Sequence, residues 1–417
     1  MRILFYATYP DQPIGYGKVA HVLSNFLAAQ ENVEIFYFGI ANVPDLAVER
    51  EIHPKIKFID VLAEERKIGS TEEYGVDIID KVMREIKPDV FFVYNDIIVT
   101  CRLLNALLGY RAEFPQTKFV SYLDLVYPYE RPDYVWHVNR HTDRIFVFSD
   151  CWKQNLVDMG VPVEKVRVMY HGFNDEIFSL TPLRDAKVEM GWKPDDFMVL
   201  NMNRNTYRKA LDISIAAFVK FLMRENFDPR IKMYMTCFMK TKNGYDLENV
   251  LLTESIRHKL DPALVSGRIL TPGPMRTGKI PDELVNGLYN ASDVGINSCT
   301  GEGFGLCNME HAALGRPQIV SGAGALVDVF GGAAAGNSVV VPPRATFATS
   351  EALDGHSGDQ VVCSADDFAD ALSFYFHNPR VAEEQGARLT VHMRLKYHWP
   401  TILDQFWKDL VGVVEEA

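Results

Sequence analysis

Short runs of consecutive apolar residues alternate with amphipathic stretches along most of the chain. In the first part of the chain these runs predict strands at 3–7, 33–38, 56–61, 90–94, 118–122 and 144–148. Because the runs are continuously apolar, we expect strands that are buried on both faces of a parallel sheet. The stretch after the first run predicts an amphipathic helix, with apolar residues at helical spacing at Val19, Val22, Leu23, Phe26 and Leu27.

The same alternation starts again after residue 180 and predicts a second domain. Its strands are expected at 197–202, 231–237, 268–270, 293–296 and 317–320, with helices such as 282–291 and 365–376 between them. The sequence thus predicts an α/β protein with two doubly wound domains and a boundary within 170–182. Residues 344–360 are polar and are expected to form an irregular loop insertion. The end of the chain predicts a helix that is broken at Pro400.

Length and charge narrow the class of protein. The chain has 417 residues, whereas single cores stop growing at roughly 250–300 residues. The net charge of −12 argues against a general nucleic-acid-binding protein, which would carry a basic face. An anionic substrate would therefore have to be held by local basic groups.

Cysteine spacing and hydropathy predict a cytoplasmic location. The six cysteines are scattered and lack the spacing of metal sites, so we expect reduced, mostly buried thiols. The apolar run at 3–7 is too short for a signal peptide, and no run approaches the ~18 apolar residues of a transmembrane helix. Peripheral membrane contact stays open.

The first candidate site is the glycine turn Gly15-Tyr-Gly17, which follows the first predicted strand and begins a helix. Its GxGxxA spacing is that of a dinucleotide-binding fingerprint, but residues 8–14 intervene and the acidic residue at the end of the second strand is missing. Glycines at a helix N-terminus still suit an anion, because free N–H groups point out of the turn. The alternative is a flexible turn that only starts a helix.

The second candidate site is the segment 203–212, which follows the first strand of the second domain and carries three cations in six residues. The carboxyl edge of a parallel sheet is where ligands bind in such folds. Arg204 can contact two phosphate oxygens at once, and Lys209 adds a point charge. The alternative is a solvated, charged start of a helix.

The third candidate site is Glu302-Gly-Phe-Gly-Leu-Cys-Asn-Met-Glu310, directly after a predicted strand. Its glycines let backbone N–H groups face a ligand. Its two carboxylates can accept hydrogen bonds from the vicinal hydroxyls of a sugar or a ribose. The alternative is a tight turn between strand and helix, with Glu310 favoured by the helix dipole.

These motifs in this order resemble the retaining glycosyltransferases of glycosyltransferase family four, which have the GT-B architecture and an E-x7-E signature. The signature corresponds to Glu302 and Glu310 with the residues between them. The matching segments are 15–17, 170–174, 204–209, 288–293 and 302–317. The resemblance covers most of the chain.

The resemblance implies two Rossmann-like domains that face a deep cleft. Residues 1–175 would bind the acceptor, 176–385 the donor nucleotide sugar, and helices in 386–417 would cross back to the first domain. Glu302 would meet the sugar hydroxyls and Glu310 the ribose. The implied catalytic residues are Arg204, Lys209, Glu302 and Asp124. The implied donor-binding residues are Gly15, Gly17, Phe304, Gly305, Leu306, Cys307 and Glu310.

Two positions depart from the family pattern. Leu123 stands where the family has a histidine that points at the sugar, although Asp124 is kept. Tyr122 or Tyr127 is expected to substitute for that histidine. Residues 172–174 also change the usual Asn-Gly order. These departures bear on acceptor and sugar specificity rather than on the class of reaction.

The expected reaction is transfer of a hexose from a nucleotide diphosphate sugar to a glycan, lipid or small-molecule acceptor. GDP-mannose is favoured because the mannosyltransferase members of the family resemble the sequence most. UDP-sugars stay open, because recognition of the base by main-chain groups near 270–277 leaves no pattern in the side chains. Fixed cations can stabilise the leaving diphosphate, so neither a metal site nor a cofactor is expected. Retention is implied by the family, and we favour attack on the same face over double displacement.

Other classes of protein fit parts of the pattern. A nucleotide-sugar epimerase or a phosphorylase could use the same fold. A non-enzymatic nucleotide-sugar-binding protein would keep Glu310 and the glycines but would have no need for Arg204 together with Lys209. A nicotinamide dehydrogenase is the remaining alternative.

Overall fold

The structure is a computed structural model that describes residues 1–272, 280–349 and 356–415. By their contacts, the described residues form two compact units. Unit 1 contains Met1–Leu125, Tyr129–His171 and the described part of the segment that starts at Trp399. Unit 2 contains Val126–Pro128 and the described part of Gly172–His398.

Unit 1 is built on a parallel sheet with the strand order β3-β2-β1-β4-β5-β6-β7. The strands are β1 (Arg2–Thr8), β2 (Glu34–Ile40), β3 (Lys57–Asp60), β4 (Val90–Asp96), β5 (Lys118–Asp124), β6 (Arg144–Val147) and β7 (Val166–Val168). The helices of this unit, apart from the last one of the chain, are α1 (Gly15–Ala29), α2 (Val61–Ile68), α3 (Ile79–Ile86), α4 (Ile97–Ala106), α5 (Leu108–Glu113), α6 (Pro132–His141) and α7 (Asp150–Asp158). The sequence order of the strands reverses between β1 and β4.

The apolar runs form these strands because helices cover the sheet and leave little room for polar side chains. Residues 3–7 of β1 are all buried, as the continuous apolar run predicted. Helix α1 buries Val19, Leu23 and Leu27, which lie on the face that the helical spacing predicted.

Unit 2 repeats this arrangement with a second parallel sheet in the order β10-β9-β8-β11-β12-β13. The strands are β8 (Phe197–Asn201), β9 (Ile231–Met235), β10 (Ile269–Leu270), β11 (Val294–Asn297), β12 (Gln318–Ser321) and β13 (Val339–Val341). The helices before β13 are α8 (Leu183–Glu189), α9 (Leu211–Arg224), α10 (Leu247–Arg257), α11 (Pro262–Ser266), α12 (Asp282–Ala291), α13 (Leu306–Ala313) and α14 (Leu326–Phe330). The order reverses between β8 and β11.

The predicted irregular insertion at 344–360 is wrong for its described residues. Strands β14 (Pro343–Thr349) and β15 (Gly358–Cys363) form an antiparallel pair, with Thr349 opposite Gly358. The segment looked polar because β14 is exposed along nearly its whole length. The Val361 N–H donates to the Thr300 carbonyl (3.0 Å), so the strand pair is joined to the loop after β11.

The last three helices are α15 (Ala365–His377), α16 (Pro379–Lys396) and α17 (Trp399–Glu415). Helix α16 belongs to unit 2 and packs against α13, whereas α17 belongs to unit 1. The Phe406 ring of α17 lies 5.6 Å from the Phe92 ring. The helical break falls just before Trp399, and Pro400 occupies the first turn of α17, where its missing N–H costs little. Among the described residues, no helix is long and apolar enough to cross a membrane.

Candidate functional site

The second and third candidate segments meet at the point in unit 2 where the strand order reverses. Strands β8 and β11 are neighbours in the sheet. The turn after β8 carries Arg208 and Lys209, and the loop after β11 carries Glu302. Ligands of doubly wound sheets bind at this kind of position, outside the carboxyl ends of the strands.

Glu302 is the centre of a buried charge cluster at this position. Lys209 Nζ donates a hydrogen bond to Glu302 Oε2. Arg208 Nη1 lies 3.8 Å from Glu302 Oε1 and donates to the Gly301 carbonyl (2.7 Å). Asn297 Nδ2 adds a hydrogen bond to Glu302 Oε2 (3.3 Å). Glu302 is 8% exposed, and the side chains of Arg208 and Lys209 are 17% and 12% exposed, so the cluster holds a carboxylate and two cations largely away from water.

The two cations keep Glu302 ionised despite its burial. Burial alone would raise the pKa of this carboxyl. Lys209, Arg208 and the hydrogen bonds outweigh that effect and lower the pKa to about 2. Glu302 is therefore a carboxylate at every physiological pH and can only accept hydrogen bonds.

The local backbone explains why these side chains converge. The Thr300 N–H donates to the Arg208 carbonyl (2.8 Å) and joins the two loops. Ala210, directly after Lys209, has φ +43° and ψ +48°, a left-handed conformation that is unfavourable for a residue with a Cβ. Gly305 has φ +85°, and a Cβ there would lie 2.5 Å from the Leu326 side chain. Strained backbone such as that of Ala210 is concentrated at functional sites.

Glu310 lies in the same unit, one turn into α13. It is 3% exposed and accepts a hydrogen bond from the Tyr289 hydroxyl (2.8 Å). Burial, together with the neighbouring Cys307 thiol and the Glu310 carboxylate, raises the pKa of Tyr289 well above its usual range. The hydroxyl therefore stays protonated and holds one oxygen of Glu310.

Arg208 was missed by sequence reasoning, which selected Arg204 as the partner of Lys209. The Arg204 side chain is exposed, whereas Arg208 lies against the loop of Glu302. Residues 207–209 form a single turn of 3₁₀ helix, and the sequence gives no period from which its facing side could be deduced. The role of Arg204 stays a prediction.

Unit 1 brings two other predicted segments together. Gly15 is the first residue of α1, and its neighbour Tyr16 donates from its hydroxyl to Asp124 Oδ2 (2.7 Å) at the end of β5. A Cβ at Gly17 would lie 2.3 Å from the Gln12 carbonyl oxygen, so this turn requires glycine. Tyr16 is the residue that sequence reasoning passed over. It links the glycine turn to the predicted catalytic Asp124.

The two tyrosines that were expected to substitute for a histidine have different surroundings. The Tyr122 hydroxyl donates to the Met169 carbonyl (2.8 Å) inside the core of unit 1. Tyr127 belongs to unit 2, where its hydroxyl lies 3.4 Å from Thr300 Oγ1. A Cβ at Gly301 would lie 2.4 Å from the Tyr127 ring. Tyr127 thus packs against the loop that carries Glu302, and Tyr122 does not fit the expected substitution.

Two predictions concern metals and the base of the nucleotide. In 1–272, 280–349 and 356–415 no group of three or more His, Cys, Asp or Glu side chains is arranged to hold a metal ion. Most of the main chain expected to recognise the base, 270–277, lies outside the described residues.

Comparison with known sequences gives a partial match. No family model matches the chain. An uncharacterized glycosyltransferase of Methanocaldococcus jannaschii (MJ1607) is 26% identical over 192 residues. The match covers 45% of this chain and 44% of that protein, so it spans less than half the length of the relative.

Comparison with solved structures covers the whole chain. Anabaena HepE (Alr3699), solved in complex with UDP and glucose, has a TM-score of 0.69 at 13% identity, over 99% of this chain and 100% of that one. Sucrose-phosphate synthase of Thermosynechococcus elongatus has a TM-score of 0.73 at 16% identity, over 100% of both chains. The protein therefore has the GT-B fold of two Rossmann-like domains, as the sequence predicted.

Proposed function

We propose that this protein is a glycosyltransferase that takes a hexose from a nucleotide diphosphate sugar. The observation that carries the proposal is the buried cluster of Lys209, Arg208 and Glu302 at the strand reversal of unit 2. Removing a carboxylate and two cations largely from water in one place is costly, so we infer that a function retains them. Cations beside a carboxylate suit a ligand that presents a diphosphate and sugar hydroxyls to the same site.

The residues divide the work according to their chemistry. Lys209 and Arg208, with the exposed Arg204, would neutralise the diphosphate. Glu302 would accept hydrogen bonds from the sugar hydroxyls, and Glu310 from the ribose. Backbone N–H groups of Phe304, Gly305, Leu306 and Cys307, at the start of α13, would face the sugar and diphosphate.

The transfer itself breaks the bond between the anomeric carbon and the diphosphate oxygen and forms a bond to an acceptor hydroxyl. We infer that the leaving phosphate takes the proton of that hydroxyl on the same face, so that the configuration is retained. The resemblance to the E-x7-E enzymes supports this order of events. Asp124, held by Tyr16, would contribute to the acceptor side. The cations supply the stabilisation that a metal would otherwise give.

The structural neighbours change which donor should be tested first. HepE was solved with UDP and with UDP-glucose, and a related structure is a UDP-forming trehalose-phosphate synthase of Burkholderia vietnamiensis. We therefore place UDP-sugars before the GDP-mannose that the sequence favoured. The acceptor is proposed only as a hydroxyl of a glycan, lipid or small molecule.

A thermal-shift panel tests the proposal. UDP-glucose, GDP-mannose and ADP-glucose are compared at rising concentration, and one of them is expected to raise Tm progressively, because it binds only the folded state. Slow hydrolysis of the same donor should continue in the presence of a chelator. The absence of any shift would reject the donor site. If the donor sugar is converted to an epimer in the absence of an acceptor, the protein is an epimerase and not a transferase.

Glu310→Gln is expected to weaken nucleotide binding about tenfold, because the amide oxygen keeps the Tyr289 hydrogen bond but a charged acceptor for the ribose hydroxyls is lost. Calorimetry with the nucleoside diphosphate alone measures the effect. The matched control is Glu283→Gln on the exposed first turn of α12, which should bind like the parent. Unchanged affinity in Glu310→Gln would contradict the ribose assignment.

A further inference from the structure

Beside Glu302 lies a row of buried amide side chains that the roles above do not use. We call this row the amide chain, and it consists of Asn297, Asn308 and Gln318, all of them buried. Asn297 Nδ2 donates to Glu302 Oε2 (3.3 Å) and to Asn308 Oδ1 (2.8 Å). Asn308 Nδ2 donates in turn to Gln318 Oε1 (2.9 Å). The amide chain therefore runs from β12 through α13 and β11 to the carboxylate.

The end of the amide chain at Glu302 fixes the direction of its hydrogen bonds. Asn297 Oδ1 accepts from the Cys299 N–H (3.2 Å), so its amide nitrogen has to face Glu302. The opposite orientation would place an amide oxygen against a carboxylate and an amide nitrogen against a backbone N–H. Both contacts would leave buried polar groups unsatisfied.

The far end of the amide chain requires the same direction. Gln318 Nε2 donates to the Arg316 carbonyl (3.1 Å) and lies 3.0 Å from His311 Nδ1. Burial lowers the pKa of His311 to about 3, so the ring is neutral and its Nδ1 can accept. Gln318 Oε1 is then left to accept from Asn308. The two ends agree, and each amide has one orientation.

A glycine makes room for the last amide. Gly295 on β11 is paired with Gln318 on β12 in the ladder. A Cβ at residue 295 would lie 2.1 Å from Gln318 Oε1 and 2.8 Å from its Nε2. Any other residue at this position would displace the Gln318 amide. The sequence thus provides the amide and also the space that it occupies.

We propose that Asn308 and Gln318 are positioning residues that orient the Glu302 carboxylate through Asn297. Lys209 provides charge, but an ammonium group on a flexible stem does not fix the plane of a carboxylate. An amide N–H that is itself held by a directed row of hydrogen bonds does fix it, because hydrogen-bonded networks strengthen and restrict their members. The sugar ligand of Glu302 rests on the proposed function, whereas the contact with the amide chain does not.

Asn308→Leu is the first test, since leucine keeps the branching of the asparagine side chain at Cγ but neither donates nor accepts. Calorimetry compares the nucleotide sugar with the nucleoside diphosphate alone. We expect the Kd of the nucleotide sugar to rise about tenfold, while the Kd of the nucleoside diphosphate stays near that of the parent. Gly295→Ala displaces Gln318 without removing a polar group. It should likewise raise the Kd of the nucleotide sugar while the Kd of the nucleoside diphosphate stays near that of the parent.

The matched control is Asn290→Ala. Asn290 is equally buried but bonds to the Thr181 N–H (2.8 Å) and the Ser179 carbonyl (2.9 Å), outside the amide chain. Asn290→Ala should lower the free energy of unfolding but should change the Kd of the nucleotide sugar and that of the nucleoside diphosphate by the same factor. Equal losses for both ligands in Asn308→Leu, or no loss at all, would overturn the proposal.

A measurement without any ligand separates this inference from the proposed function. The urea midpoints of Asn308→Leu, Glu302→Gln and the double variant form a double-mutant cycle. Because both residues bond to Asn297, the double variant should lose less free energy of unfolding than the sum of the losses in the two single variants. Additive losses would reject the amide chain as a positioning device. If the parent protein binds no nucleotide sugar, the proposed function is rejected. The double-mutant cycle still decides whether the amide chain positions Glu302.

Discussion

Lys209→Ala is expected to lower kcat for sugar transfer by about 10²-fold or more, the usual loss when a group that stabilises transition-state charge is removed. Negative charge develops on the diphosphate as it leaves, and a fixed cation in a site with little water stabilises it far more than a solvated one. Lys209 is held in such a place by its bond to Glu302. Steady-state kinetics at a saturating concentration of the nucleotide sugar measures the change.

The matched control for this variant is Lys220→Ala. Lys220 lies on α9 and is paired with Asp366 (2.9 Å) at a more exposed position, so its removal should leave kcat unchanged. Lys209→Arg keeps the charge and should recover part of the lost rate. A kcat of Lys209→Ala close to that of the parent would remove Lys209 from the proposed catalytic group.

Glu302→Gln is expected to lower the free energy of unfolding at pH 7 by about 3 kcal/mol, because it leaves Lys209 and Arg208 facing each other without their common counter-charge. The parent and the variant are compared by urea denaturation from pH 7 downwards. Glu384→Gln on the exposed face of α16 serves as the control and should match the parent. Equal stability of Glu302→Gln and the parent at pH 7 would show that the cluster carries no net stabilisation.

The pH dependence of that difference has a defined sign. The pKa of Glu302 is lowered by folding, from an ordinary value of 4.5 to about 2. Its contribution is therefore fully present above pH 4.5 and is lost as the pH falls through about 2. The gap in stability between the parent and Glu302→Gln should stay constant from pH 7 to pH 5 and narrow below pH 4.5. A gap that widens on acidification would contradict the assignment.

Much of the fold could be predicted from the sequence because buried parallel strands leave a continuous apolar run. Helix α12 was predicted at its observed bounds, and β1 within one residue at each end. The strands β7 and β13, of three residues each, were not predicted. The pair β14 and β15 was missed since one of its strands is exposed and therefore lacks the apolar run.

The site was predictable as a set of segments but not as a set of contacts. Lys209 and Glu302 were selected from separate motifs, and their ion pair joins residues 93 positions apart. Arg208 and Tyr16 were missed because their orientation depends on turns whose backbone angles the sequence does not determine. The amide chain was missed for another reason, since each of its members reads as an ordinary polar residue near the end of a strand or helix. The catalytic and binding roles of all these residues stay predictions.

The hydrogen bond from Val361 to Thr300 makes the strand pair β14 and β15 relevant to protein engineering. A segment that is exposed and polar is the usual choice for truncation, for insertion of a tag or for exchange between related proteins. Here the Val361 N–H of β15 donates to Thr300, which is two residues before Glu302, the carboxylate proposed to hold the sugar. Shortening this region would remove a hydrogen bond that supports the loop carrying Glu302. A chimera made at these residues would therefore change part of the proposed donor site as well as the surface.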